Sequence, residues 1–365
     1  MTHADFEHSA VTDEARCGFL PMLAVMLGFT FFSASMVVGV AMFAVPTTMF
    51  LMDVPALQGS WWLAGGTLEL AGTPPLPLRC VVPIAAVSGA LMTSSAYFGM
   101  RTLKIVSVIA VPSIVLLGGW SVVRALRFDG VGGLDALLHH TPAADSAIGF
   151  GMAVSLGIGS FVSGGTCTPD FTRFARKPSA AALATVIAFL FGNSLMFLFG
   201  AVAAMVYGQE DISTVLCLQG LLVPAIAVLG LNIWTTNDNA IYTAGLGLSN
   251  ITGLPKRHLV LACGFLGTLS SVCLYAHFCG WLNILNCTLP PVGIILVLDY
   301  FLNKKNYESV ETECKVNWAS IAGVVLGAVV ANVLNVGISS INGMAVAAVC
   351  YLIGYFIKKS AKKAA

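Results

Sequence analysis

The chain has 365 residues, 57% of them hydrophobic and only 10% charged, with a formal net charge of +1 and a mean hydropathy of +0.88. Soluble domains carry nearer a quarter charged residues, so the composition excludes a water-soluble globular protein and points to a multi-spanning membrane protein whose first partner is the lipid bilayer. The near-neutral charge, with no basic cluster interleaved with aromatics, argues against nucleic acid as a partner.

Residues 1–17 carry Asp5, Glu7, Asp13, Glu14 and Arg16 with no short apolar region or small-residue cleavage site after them, which reads as a cytosolic tail and not a signal peptide. From there to residue 358 the sequence reads as one transmembrane domain of about ten apolar spans: 18–51, 80–99, 104–125, 147–167, 179–207, 219–247, 258–278, 281–302, 317–336 and 341–358. The runs are too long and too uniformly apolar for barrel strands, so the fold class is all-α and polytopic. A second short cytosolic tail, 359–365, closes the chain.

With the N-terminus inside, all 18 Lys and Arg residues except Arg79, Arg124 and Arg127 fall on the inner side, which predicts both termini in the cytosol. The span 18–51 is over-long, since about 20 residues suffice for one crossing, and requires strong tilt, a kink or a fold-back. The Pro/Gly/Trp-rich stretch 52–78 reads as an external loop, with Trp61-Trp62 suited to the membrane interface.

In the fourth span, Gly157-Ile158-Gly159-Ser160-Phe161-Val162-Ser163-Gly164-Gly165-Thr166 predicts a helix broken at membrane depth, where freed backbone groups must line a cavity. A close-packing face of small residues is the competing reading. The first span carries a related piece, Gly28-Phe29-Thr30-Phe31-Phe32-Ser33, and both contain Phe-x-Ser. Two interrupted spans at corresponding positions point to an inverted-repeat transporter with a midplane site. Pro290-Pro291 should kink the eighth span.

The densest chemistry lies at Asn232-Ile233-Trp234-Thr235-Thr236-Asn237-Asp238-Asn239, inside an apolar segment. All but Ile233 and Trp234 are polar, more than helix-to-helix hydrogen bonding requires, which favours a binding site. Asn232, Thr235, Thr236 and Asn239 share one helical face, and oxygens at that spacing suit a hard cation such as Na⁺. Asn237 lies off that face and offers both donor and acceptor to a planar polar ligand. Asp238 reads either as a carrier of a coupling proton or as a structural acceptor.

Elsewhere the chemistry is sparse. The ten cysteines are scattered, with no CxxC and no Cys/His pair at metal spacing. His139-His140 and His277 have no ligand-like neighbours, and no catalytic motif suggests an enzyme or an organic cofactor.

The runs GFTFFSASM (28–36), FLFGNSLMFLFG (189–200), GLNIWTTNDNA (230–240) and GLGLSNITG (245–253) resemble the cytosine permease branch of the nucleobase:cation symporter family, continuously from about residue 84 to the C-terminus. The resemblance implies a LeuT-like inverted five-plus-five repeat of twelve helices, the first and sixth interrupted. It further implies import of cytosine or a related base across the plasma (inner) membrane, coupled to Na⁺ or H⁺, with Na⁺ favoured. The implied cation site joins main-chain carbonyls at Gly28 and Phe31 to Asn232, Thr235 and Thr236; the implied base site comprises Phe161 for stacking, Ser163 and Asn237 for hydrogen bonds, and Ser33 nearby.

One departure stands out. After Ala34-Ser35-Met36 the chain passes directly to Val37-Val38-Gly39, which resembles the end of the family's third helix. The rest of helix one, helix two and the start of helix three, with their Trp and Gln of the base site, have no counterpart. This accounts for ten spans instead of twelve. It also carries an alternative expectation, a transport-impaired relative that keeps the fold.

Overall fold

The structure is a computed structural model that describes residues 11–30, 39–54, 65–70, 74–127, 139, 149–208, 212–304, 316–334 and 337–364. It is helical as expected, because inside hydrocarbon a helix satisfies every backbone group within its own segment. Two compact units are formed: residues 1–141 with 167–278, and residues 142–166 with 279–365.

Of the expected span 18–51 the first unit has α1 (Phe19–Thr30) and α2 (Gly39–Met52), on either side of residues outside the described set. Residues 52–78, expected as a loop, include a small antiparallel hairpin of β1 (Thr67–Leu68) and β2 (Leu76–Pro77). Leu76 is fully buried in it, and Trp61-Trp62 lie outside the described residues.

Helices α3 (Leu78–Phe98) and α4 (Met100–Arg127) follow with only Gly99 between them. Gly99 adopts φ 83, a conformation that costs glycine little, and its N–H caps the carbonyls of Ser95 and Ala96. The unit continues with the last turns of α5 (Phe150–Thr172), then α6 (Pro178–Tyr207), α7 (Ile212–Leu218), α8 (Leu222–Thr252) and α9 (Lys256–Ala276). Within α6 the turn Ala188–Gly192 is π-helical, the kind of local widening often found beside functional sites.

At the centre of this unit runs α8, about 46 Å long at 1.5 Å per residue, packed against α1, α2, α3, α4, α7 and α9. Its octet keeps it from reading as a uniformly apolar span; α3, α4, α6 and α9 do read so. One buried stripe of α4, Leu103, Ser107, Ala110, Ile114 and Gly118, faces inward. Ala110 and Ile114 on that stripe gather Leu27 of α1, Leu195 and Met196 of α6, and Leu231 of α8. The chain's start is tied in as well: the Cys17 N–H donates to the Phe174 carbonyl at 2.7 Å, and the Arg176 N–H donates to the Cys17 carbonyl at 2.9 Å.

The second unit holds the first part of α5 with α10 (Phe278–Leu302), α11 (Trp318–Val333) and α12 (Ser339–Ala364). Gly327 and Gly343 face each other across α11 and α12, with the Pro291 ring filling the notch beside them. Small residues permit this backbone approach, the usual packing mode of helices in lipid. At the far end of α10 the Tyr351 hydroxyl and the Asn303 amide both donate to the Asp299 carboxylate.

Candidate functional site

The octet is buried almost completely: Thr235, Asp238 and Asn239 are fully covered, and Asn232, Thr236 and Asn237 are at most 5% exposed. Its hydroxyls fold back on their own helix. Thr235 Oγ1 and Thr236 Oγ1 donate to the Asn232 main-chain carbonyl at 2.9 and 3.4 Å, and the Asn239 amide donates to the Thr235 carbonyl. A hydroxyl that has given up its proton in this way keeps its lone pairs for an electropositive guest.

No hydrogen-bond partner among the described residues meets Asn232 Oδ1, Asn239 Oδ1 or either oxygen of Asp238. Buried polar atoms are nearly always satisfied, so unmet oxygens on two turns of one helix are where a guest could supply the missing partner. Neutral oxygens on the Asn232–Thr235–Thr236 face fit a hard monovalent cation.

Gly28 of α1, expected beside this face, is on the helix that packs against α8, and its neighbour Leu27 shares the Ala110–Ile114 cluster with Leu231. The π turn of α6 closes on the same place: a side chain at Gly192 would meet Thr30 Oγ1 at 2.5 Å. Phe31 and Ser33 lie outside the described residues.

Asn237 turns toward α3, where its Nδ2 donates to Met92 Sδ at 3.2 Å. Thioether sulfur is a weak acceptor, so this bond is readily exchanged for a better one. Beside it Trp234 Nε1 donates to Ser95 Oγ at 3.0 Å, while Ser95 gives its own proton to the Met92 carbonyl at 2.9 Å. Ser95 also stands next to the Asp238 carboxyl. The α3 partners were not singled out in the sequence. Ser88, Met92 and Ser95, at i, i+4 and i+7, form the buried face that would have pointed to them.

In the second unit, α5 is interrupted at the expected place. Phe161 has φ −139 and ψ 19 within an otherwise helical run. Its ring is buried and lies over Gly164, where a Cβ would meet Cζ at 2.5 Å and Cδ1 at 2.6 Å. The glycine is therefore a seat for the ring. Ser163, two residues beyond Phe161, is half-buried, and its carbonyl accepts from Thr166 Oγ1 at 2.8 Å.

A helix broken at Phe161, a buried polar run on a long helix and several apolar spans define a polytopic membrane transport protein. The chain belongs to the family described as permease for cytosine/purines, uracil, thiamine, allantoin, which it matches over residues 16–357. It is 40% identical to the cytosine permease of Escherichia coli strain K12 over 401 positions, 96% of this chain and 94% of the relative; the cytosine permease of strain O157:H7 is equally similar. The alignment has more positions than this chain has residues, so part of the relatives' length has no counterpart here. These relatives are permeases and not enzymes.

Among solved structures, a nucleobase-cation-symport-1 family transporter in a closed conformation with bromovinylhydantoin bound matches with a TM-score of 0.70 at 15% identity, covering 97% of this chain and 96% of the other. A substrate-bound, outward-open Na⁺-coupled sialic acid symporter matches with a TM-score of 0.56 at 10% identity, covering 96% and 75%. Both place the chain in the LeuT-like inverted-repeat fold.

Proposed function

We propose that this chain is a secondary active transporter that imports cytosine or a closely related nucleobase across the plasma membrane by cation symport, with Na⁺ as the coupling ion. The observation that carries the reading is the buried octet of α8, where Thr235 and Thr236 fold their protons back onto the Asn232 carbonyl and Asn232 Oδ1 has no hydrogen-bond partner among the described residues. Its support from outside is the 40% identity to proteins named cytosine permease and the family match over residues 16–357.

In this reading Na⁺ is held by main-chain carbonyls at Gly28 and Phe31 with the side chains of Asn232, Thr235 and Thr236. The base stacks on Phe161 and bonds to Asn237 and Ser163, with Ser33 close by. Exchange of the Met92 sulfur for a base nitrogen or carbonyl gives Asn237 a stronger partner, which turns a structural contact into a selective one. Both termini are cytosolic, since nearly all Lys and Arg residues fall on the inner side. H⁺ coupling is the alternative, with Asp238 as the carrier.

The test is calorimetric titration of purified protein with cytosine, in Na⁺ and in a large organic cation at fixed pH. Saturable binding that strengthens with Na⁺ supports the proposal. Binding equal in both salts but dependent on pH transfers the coupling role to the proton, and no binding of any nucleobase overturns the reading.

A further inference from the structure

The buried hydroxyls of this protein follow a habit. Thr30, Thr48, Thr93, Ser95, Thr235 and Ser271 each donate to a carbonyl three or four residues back on their own helix. Such back-bonding is the normal refuge of a hydroxyl inside a membrane helix. Ser107 of α4 departs from it: its side chain is fully buried, and no hydrogen-bond partner meets its Oγ among the described residues. Leaving a buried hydroxyl unsatisfied is costly, so its orientation calls for a physical reason.

Its position supplies one. Ser107 Oγ lies against Gly28, so close that a Cβ on Gly28 would stand 2.8 Å from it. One turn further along the same face of α4, Ala110 and Ile114 hold Leu27 and Leu231, the residues next to Gly28 and Asn232. Ser107, Gly28 and Asn232 therefore belong to one small region where α1, α4 and α8 meet. Asn232 Oδ1, on α8, also has no hydrogen-bond partner there. One of these oxygens, Ser107 Oγ, borders the glycine that the cation reading places at the ion, and the other sits on the helix packed against that glycine's own.

We propose that Ser107 Oγ is a further oxygen of the cation site, contributed from α4 alongside the groups of α1 and α8. The inference rests on the cation reading above and adds a third helix to it. Gly28 is required at its position because a larger residue would fill the space between the Ser107 hydroxyl and the ion. A site built from three helices is also one whose occupancy opposes any movement of α4 away from α1, which gives the bound ion a hold on the conformation of the transporter.

The experiment is thermal unfolding of the purified full chain, without base, across a Na⁺ titration at constant ionic strength. A ligand that binds the folded state stabilises it by RT ln(1 + [L]/Kd), so the Na⁺ concentration that gives a set rise in unfolding temperature, taken as the midpoint, scales with the Kd for Na⁺. Ser107→Ala is expected to move that midpoint upward by about tenfold, the scale on which outlying partners of a metal site act. Ser107→Cys keeps the shape but offers a sulfur that hard cations disfavour, and should move it in the same direction; this variant also serves if the alanine protein does not fold. Ser121→Ala, at the other partnerless buried hydroxyl of α4, should leave the midpoint unchanged. A midpoint unchanged in both Ser107 variants overturns this inference and leaves the cation reading standing. Absence of any Na⁺ stabilisation of the wild type overturns that reading and this inference with it.

Discussion

Gly164→Ala should disable the base site by unseating Phe161. The new methyl would lie 2.5 Å from Cζ and 2.6 Å from Cδ1 of the ring, with Cε1 closer still. Distances this short cannot be relaxed by a few tenths of an ångström, and a 180° flip of the ring returns carbon atoms to the same places. The ring must leave its seat. Overpacking of this kind costs about 1–3 kcal/mol of stability. Loss of a stacking aromatic costs a further ~1–3 kcal/mol of base binding, which is about fivefold to hundredfold in Kd.

The assay is cytosine titration of purified Gly164→Ala, Phe161→Ala and the double variant, in saturating Na⁺. If the glycine acts only through the ring, Gly164→Ala adds nothing once Phe161 is alanine, so the two effects are strongly non-additive. Fully additive losses, or a Gly164→Ala protein that binds cytosine as the wild type does, would refute the reasoning.

Three other outcomes are expected. Asn237→Ala should weaken cytosine binding by about 1–3 kcal/mol with little change in unfolding temperature, because the bond it gives up goes to a thioether; calorimetry and a melting curve read the two separately. Ser95→Ala removes the acceptor of the half-buried Trp234 N–H and should cost about 1–3 kcal/mol of stability, whereas Ser94→Ala, at an exposed hydroxyl of the same helix, should stay within about 0.5 kcal/mol. A reporter fused to the C-terminus should be active only on the cytosolic side, and reagents that do not cross the membrane should reach a tag at the N-terminus only after the cells are opened.

Much of this architecture was legible in the sequence, for reasons that differ by element. The octet of α8 stood out because six polar side chains in an apolar run have no inexpensive explanation in hydrocarbon. The break in α5 was announced by glycines around Phe161. The partners of these features were hidden. Ser95 and Ser107 look alike in a sequence, since a helical serine in a membrane usually satisfies itself; only packing shows that one receives an indole N–H and the other faces Gly28. The π turn at Ala188–Gly192 carries no compositional signal, because its residues are those of any apolar helix. The hairpin at Thr67–Pro77 lay in a stretch whose prolines and glycines read equally well as an open loop.

The central claim, nucleobase import driven by a cation gradient, is tested most directly by uptake of labelled cytosine into proteoliposomes containing only this chain. With an inward Na⁺ gradient the account predicts saturable uptake that unlabelled cytosine competes away and that collapses when the gradient is dissipated. Its affinity is expected to be weaker than that of the Escherichia coli relative, part of whose length has no counterpart here. Uptake that is not saturable, or that proceeds equally with neither a Na⁺ nor an H⁺ gradient, would contradict it.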